Sequence, residues 1–294
     1  MHFLDTAYKE SKPSIFVEKK TMIFVVILVF TVISSTILVS ILATRDQSEN
    51  VLTNLTKIVN TSATGTLQQT IGIVVVPYFQ PSDPQWNIIF KQADRYPGTI
   101  KYVIINPCSG PCGTTLPSDW QNVISILKSK GIKTLGYIFD DSESFANIDY
   151  YMKASPVSTD GILFDNEGSI DNLANFKQYA QYVHSLGGTV YINPGYNYPQ
   201  VINYIKSGAV DVTNIHEIEA SKSQYILVND NLPPSKISVV LGNITDVQEM
   251  KTKLTEIASK GIGTVYLYSS SYDSLPPFFS EEIQLASITP IKKQ

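Results

Sequence analysis

From residue 71 onward, apolar runs and mixed polar–apolar stretches alternate along the chain. "IGIVVVPYF" is an unbroken, β-branched run, and "PQWNIIFKQADRY" follows it with apolar residues at helical spacing. The same two-part unit recurs: "KYVIINP" before "SDWQNVISILKSKG", "KTLGYIFDD" before "SFANIDYYMKAS", "DGILFDNEG" before "DNLANFKQYAQYVHSLGG". It continues with "TVYINPG" before "YPQVINYIKSG", "VDVTNIHE" before "SKSQYILVND", "KISVVLGNIT" before "VQEMKTKLTEIASKG", and "TVYLYSSSYD" before "PPFFSEEIQLAS". The strand runs are continuously apolar, as expected when both faces of a parallel sheet are buried. In the second unit Ser118 is the expected helix cap and Gly131 the stop. Eight strand–helix units predict an α/β chain whose residues 71–294 close into a (β/α)8 TIM-type barrel. A doubly wound open sheet is the competing arrangement. It usually has fewer strands, and no glycine-rich phosphate turn follows the first strand here.

Before residue 71 the pattern is different. Residues 22–43, "MIFVVILVFTVISSTILVSILA", carry no charge and are almost all apolar. At roughly 1.5 Å per residue such a run crosses a hydrocarbon core of about 30 Å. A cleaved signal peptide has a shorter apolar region and a shorter polar lead. The expectation is therefore a single transmembrane helix over 22–44, preceding the barrel. Lys9, Lys12, Lys19 and Lys20 lie before it and Arg45 after it. The excess of basic residues places 1–21 in the cytoplasm and the rest outside, at the cell membrane. Residues 45–70, rich in Thr, Asn, Ser and Gln, read as an extracellular stalk. Asn54, Asn60 and Asn243 head glycosylation sequons, all on the expected outer side.

Composition narrows the classes of partner. The 294 residues carry a net charge of −4, and 43% are hydrophobic. A core can be filled, and no basic field exists to hold nucleic acid. The only cysteines are Cys108 and Cys112, in "NPCSGPCG". Outside the cell a local disulfide is the favoured reading, with free thiols or half of a metal site as alternatives. No metal or cofactor is expected, since His2, His184 and His216 are not nearby in sequence.

Barrel active sites sit at the C-terminal strand ends. Those ends carry Tyr78 and Gln80, then Asn106, then Tyr137, Asp140 and Asp141. Next come Asp165 and Glu167, Asn193, Glu217, Asn243, and finally Tyr268 and Asp273. His216 precedes Glu217, so alternation turns it away from the lumen. Carboxylates, amides and tyrosines suit sugars: one acid protonates the leaving oxygen, and another group stabilises or attacks the oxocarbenium-like centre. The plainer alternative is that polar strand ends only cap helices. The candidates are Asp165, Glu217 and Glu167 for catalysis, and Tyr78, Asn106, Tyr137, Asp140, Asn193 and Tyr268 for substrate.

"VPYFQPSDPQW", "INPCSGPCG", "LGYIFDD", "DGILFDNE", "INPG" and "DVTNIHE" occur in that order. Together they resemble the spherulation-specific family 4 (spherulin-4-like) proteins over about residues 72–275. The resemblance implies a barrel glycoside hydrolase like the family's endo-α-1,4-N-acetylgalactosaminidases, which act on galactosaminogalactan. It implies that the family's Asp-Glu pair after strand four falls on Asp165 and Asn166, and its strand-six Glu on Glu217. Asn166 departs from the family pattern, and Glu167 is the candidate to replace the missing acid. Gly110-Pro111-Cys112 departs from a "GPG", so a disulfide to Cys108 would brace a substrate-side loop. The spacing of Asp160, Asp165, Asn166 and Glu167 also resembles the end of the chitinase strand-four motif, with Leu163 departing from its middle Asp. Strand alternation points Asp165 and Glu167 the same way and Asn166 the other.

These observations lead to a membrane-anchored, extracytoplasmic glycoside hydrolase for an amino-sugar polysaccharide. A non-catalytic glycan-binding protein, or a structural surface barrel, is the alternative.

Overall fold

The eight apolar runs form eight parallel strands: β1 (Gly72–Val75), β2 (Ile100–Ile105), β3 (Lys133–Phe139), β4 (Gly161–Asp165), β5 (Thr189–Asn193), β6 (Val212–Glu219), β7 (Ile237–Gly242) and β8 (Thr264–Leu267). In the computed structural model they pair in sequence order, and β8 returns to β1, closing the barrel. The structure describes residues 69–139, 144–165, 173–195, 198–225 and 232–292. The expected cytoplasmic segment, transmembrane helix 22–44 and stalk, with Asn54 and Asn60, lie outside the described residues. So do Asp140, Asp141, Asn166 and Glu167. Among the described residues no helix is long and apolar enough to cross a membrane.

The helices are α1 (Gln85–Arg95), α2 (Ser118–Ser129), α3 (Phe145–Met152), α4 (Leu173–Ser185), α5 (Tyr198–Lys206), α6 (Val247–Ser259) and α7 (Phe279–Ala286). Each lays one stripe on the barrel. In α2 the buried stripe is Trp120, Val123, Ile124 and Leu127, the i, i+3, i+4, i+7 set of an amphipathic helix. The unit after β6 departs from the sequence expectation. A 3-10 helix, Ala220–Tyr225, stands where an α-helix was expected to begin. Ser118 is also reassigned: it opens α2 as its first helical residue, Pro117 occupies the cap position, and no side chain caps the end. Gly131 stops α2 as expected, with φ +74 and its N–H donating to Lys128.

Two aspartates that precede strands are structural. Asp160 Oδ2 accepts the Thr134 N–H and hydroxyl, each at 2.9 Å, and Lys128 Nζ lies 3.0 Å from Oδ1. Asp211 Oδ2 accepts the Val190 N–H at 2.9 Å and meets His184 Nε2 at 3.0 Å. Both sit at the N-terminal mouth. Asp160 is therefore separated from Asp165 by the length of β4. Asn243 is exposed just past β7 with φ +61, on the opposite, C-terminal rim.

α7 carries a buried acid. Glu282 is 0% exposed; its Oε1 accepts the Leu267 N–H at 3.2 Å and its Oε2 has no hydrogen-bond partner. Burial pushes this carboxyl well above its ordinary 4.5. An acid whose folded pKa is raised contributes fully below its unfolded pKa, and that contribution is lost as pH rises through the folded value. Glu282→Gln keeps the acceptor for Leu267 but never ionises. It is expected to melt close to wild type at pH 4 and above it at pH 8. Calorimetry at both pH values checks this, and a Tm difference independent of pH contradicts it.

Candidate active site

At the C-terminal mouth, β3, β4, β5 and β6 turn polar on the side facing the lumen. Register pairs Tyr137 with Leu163 and Leu163 with Tyr191, forming an inner layer. One step further, Asp165 pairs with Asn193. These residues, with Val74, Val76, Val240, Tyr78, Asn214, Glu217 and Tyr272, line one cleft. Its floor is apolar and its upper wall holds acids, amides and phenols.

Glu217 reaches this cleft because of an irregularity in β6. Asn214 pairs with Ser238 and Glu217 with Val240, so a step of three residues on β6 matches a step of two on β7. Strict alternation would send Glu217 to the face opposite Asn214. The extra residue of a β-bulge brings both to the lumen. The Glu217 N–H donates to Gly195 O at 2.8 Å, tying the bulge to the end of β5. His216 is absent from the cleft lining. Burial, and then the positive charge of Lys260, lower its pKa.

The polar side chains form one connected chain. The Tyr137 hydroxyl donates to Asp165 Oδ2 at 2.5 Å. Asn193 Nδ2 donates to Asp165 Oδ1 at 2.7 Å and to Glu217 Oε2 at 2.6 Å. The Tyr272 hydroxyl donates to Glu217 Oε1. Tyr78 stands at the other end, its ring edge-on to that of Tyr137 with centroids 6.3 Å apart. Burial, reinforced by the Asp165 charge, pushes the Tyr78 phenol up to about 12. Burial also raises Tyr137 and Tyr272, together with the carboxylates they serve. All three phenols therefore remain neutral donors wherever carboxyl groups titrate.

The structure thus gathers Asp165, Glu217, Tyr78, Tyr137 and Asn193 in one cleft. Asn106 lies just behind it, 7% exposed, with Oδ1 accepting the Gly110 N–H at 2.9 Å. That bond anchors the loop closed by the Cys108–Cys112 disulfide, whose Cα atoms are 5.4 Å apart. Tyr150 donates to Cys112 O at 3.1 Å on the other side. Tyr268 is corrected from a cleft residue to a support: it stands outside the lining, its ring centroid 4.4 Å from that of Tyr272. Gly242 makes room for its ring, since a Cβ there would lie 2.4 Å from Tyr268 Cζ. Asp273 is exposed.

Sequence reasoning missed Tyr272 and Asn214. Tyr272 follows a serine run, 269–271, a turn signal that folds the chain back over the mouth. Its carbonyl accepts the Tyr78 N–H at 2.9 Å, joining the loops after β8 and β1. Asn214 carried no such signal, because its three-residue offset from Glu217 puts the two on opposite faces under simple alternation. Among the described residues no group of His, Cys, Asp or Glu is arranged to hold a metal.

The sequence pattern of one family, spherulation-specific family 4, matches residues 72–286. The chain belongs to spherulation-specific family 4. Comparison with curated protein sequences finds no match. Among solved structures, Sph3 of Aspergillus clavatus, in complex with GalNAc, superposes with a TM-score of 0.63 at 18% identity, over 74% of this chain and 98% of that one. A GH18 chitinase from Pseudoalteromonas aurantia gives 0.51 at 11% identity, over 73% and 99%. The spore cortex-lytic enzyme SleL of Bacillus cereus gives 0.50 at 11%, over 78% and 76%. At these identities the likeness is one of fold, and the spherulation-specific family 4 assignment rests on the sequence match.

Proposed function

We propose that this spherulation-specific family 4 chain is a glycoside hydrolase for a polysaccharide containing amino sugars. One observation carries the reading: a single amide nitrogen bonds both Asp165 and Glu217. Two oxygens sharing one nitrogen at these distances lie within about 5.5 Å of each other. That upper bound is compatible with the ~5–5.5 Å spacing of retaining glycosidases and short of the ~6.5–9.5 Å of inverting ones. One carboxylate then attacks or stabilises the sugar's reacting carbon, and the other protonates the leaving oxygen and later activates water. Tyr78, at the open edge and 37% exposed, offers a ring face to the sugar. The GalNAc complex of Sph3 supports an N-acetylated substrate. The uncharged run at 22–43 and the lysines before it support a membrane anchor with the barrel facing outward.

The test is incubation of the full-length chain, in detergent, with galactosaminogalactan and chitin-type oligomers, followed by product analysis. Anomeric retention in the first-formed product is expected. Folded protein that cleaves no amino-sugar polymer would sink the proposal. Tyr272→Phe removes one charge-assisted hydrogen bond from Glu217. It is expected to lower kcat by about 10–100-fold with little change in KM. Steady-state kinetics checks this, and an unchanged kcat takes Glu217 out of the rate-limiting chemistry.

Asn166, where the resemblance to the family implies an acid, favours a second reading: a glycan-binding barrel without turnover. In that case Asp165→Asn leaves glycan affinity intact and no product forms from either protein.

A further inference from the structure

The side-chain amide of Asn193 has no bonding capacity left for substrate. Its nitrogen serves Asp165 and Glu217. Its oxygen accepts from Asn214 Nδ2 at 2.7 Å and from the Gly195 N–H at 3.3 Å. Two donated and two accepted bonds fill a carboxamide. The orientation follows from chemistry. Ionised carboxylates only accept, so the nitrogen must face them; the oxygen then faces Asn214, which must offer a nitrogen in return. Asn214 is 1% exposed, and its own Oδ1 is buried without a hydrogen-bond partner. An unpaired buried amide oxygen costs free energy. What favours this orientation is therefore the bond to Asn193.

We infer that Asn214 and Asn193 form a positioning relay, in which Asn214 fixes the Asn193 amide and its shared NH2 holds Asp165 and Glu217 close together. Neither amide is a catalytic residue in this assignment, and Asn193 is not a substrate contact. The catalytic meaning of the relay rests on the hydrolase reading above; the relay itself belongs to the protein without substrate. Two carboxylates this close repel, and without a donor between them one is driven to bind a proton. Among the described residues the other titratable groups in the cleft lining are the phenols of Tyr78, Tyr137, Tyr191 and Tyr272, and that lining includes no Lys, Arg or His. The shared amide is the group placed to offset the repulsion from between the two acids.

The test is a carboxyl titration by NMR on the full-length chain in detergent, with ¹³C-labelled Asp and Glu side chains. The two signals are assigned by their loss in Asp165→Asn and Glu217→Gln. Asn193→Leu adds no charge and removes the shared donor. It is expected to raise the higher apparent pKa of the pair by about one unit or more. Asn214→Leu is expected to raise it in the same direction by less. Because Asn214 acts through Asn193, the double variant is expected to titrate as Asn193→Leu alone. If Asn193→Leu does not fold, Asn193→Ser, with one hydroxyl for two carboxylates, is read in its place. An unchanged titration, or shifts that add in the double variant, overturns the relay. Hydrolysis is read separately. A wild-type chain that cleaves no amino-sugar polymer defeats the hydrolase reading while the titration still decides the relay. In an active chain the pH–rate profile must shift with the titrating carboxyl.

Discussion

Asp165→Asn is expected to lower hydrolysis of an amino-sugar polymer by about 10³-fold or more, chiefly in kcat. The substitution preserves shape, so binding is expected to change little. What it removes is the negative charge that accepts from Tyr137 at 2.5 Å and from Asn193 at 2.7 Å. An amide at 165 cannot accept through both of its ends, so one of those two donors loses its partner. Charge stabilisation of an oxocarbenium-like centre is lost with it. Steady-state kinetics, with glycan affinity measured in parallel, separates the two parameters. Wild-type turnover in this variant would place the chemistry on other residues. Equal affinity with no product from either protein would favour the glycan-binding reading.

The second large effect concerns the strand that carries this acid. Gly161 opens β4 where the chain runs against β5. A Cβ there would lie 2.1 Å from the carbonyl oxygen of Thr189 and 2.7 Å from its nitrogen. Both are backbone atoms of the neighbouring strand and cannot rotate aside. Gly161→Ala is therefore expected to cost roughly 3 kcal/mol, at the upper end of overpacking effects. For a domain of this size that lowers Tm by roughly 6–12 °C. Calorimetry checks it. Since β4 also sets the height of Asp165, folded Gly161→Ala protein is expected to lose activity as well. A variant as stable as wild type would show that β4 and β5 separate here at little cost.

Much of this fold was legible because its strands are buried on both faces. Such strands must be apolar along their whole length, so each of the eight stands out from the mixed helix that follows it. The polar ends of those strands were legible for a related reason. Asp165, Asn193 and Tyr137 interrupt apolar runs at the one mouth where polar side chains meet water. Glu217 was named from the same pattern and from family resemblance. How it reaches the lumen was not readable, because a bulge is a property of two paired strands. The helix expected after β6 begins as a 3-10 turn, and Ser118 does not cap α2; local propensity is weak where packing sets the element ends.

Roles inside the cleft were the least readable part. Asn193 looked like a substrate ligand because amides bond sugars. In the folded chain its four hydrogen-bonding sites are spent on protein groups. Tyr268 looked like a cleft wall because it ends β8, yet Tyr272 takes that place and Tyr268 supports it from behind. By itself, the sequence determined the barrel, the mouth at which chemistry is held, and the acids available there, because burial and strand period act residue by residue. Only the tertiary structure decided that Asp165 and Glu217 share one nitrogen, that a bulge in β6 turns Glu217 inward, and that Tyr272 closes over it. Those three facts depend on how neighbouring strands and loops meet, and hydrogen bonds between residues distant along the chain exist only once the barrel has closed.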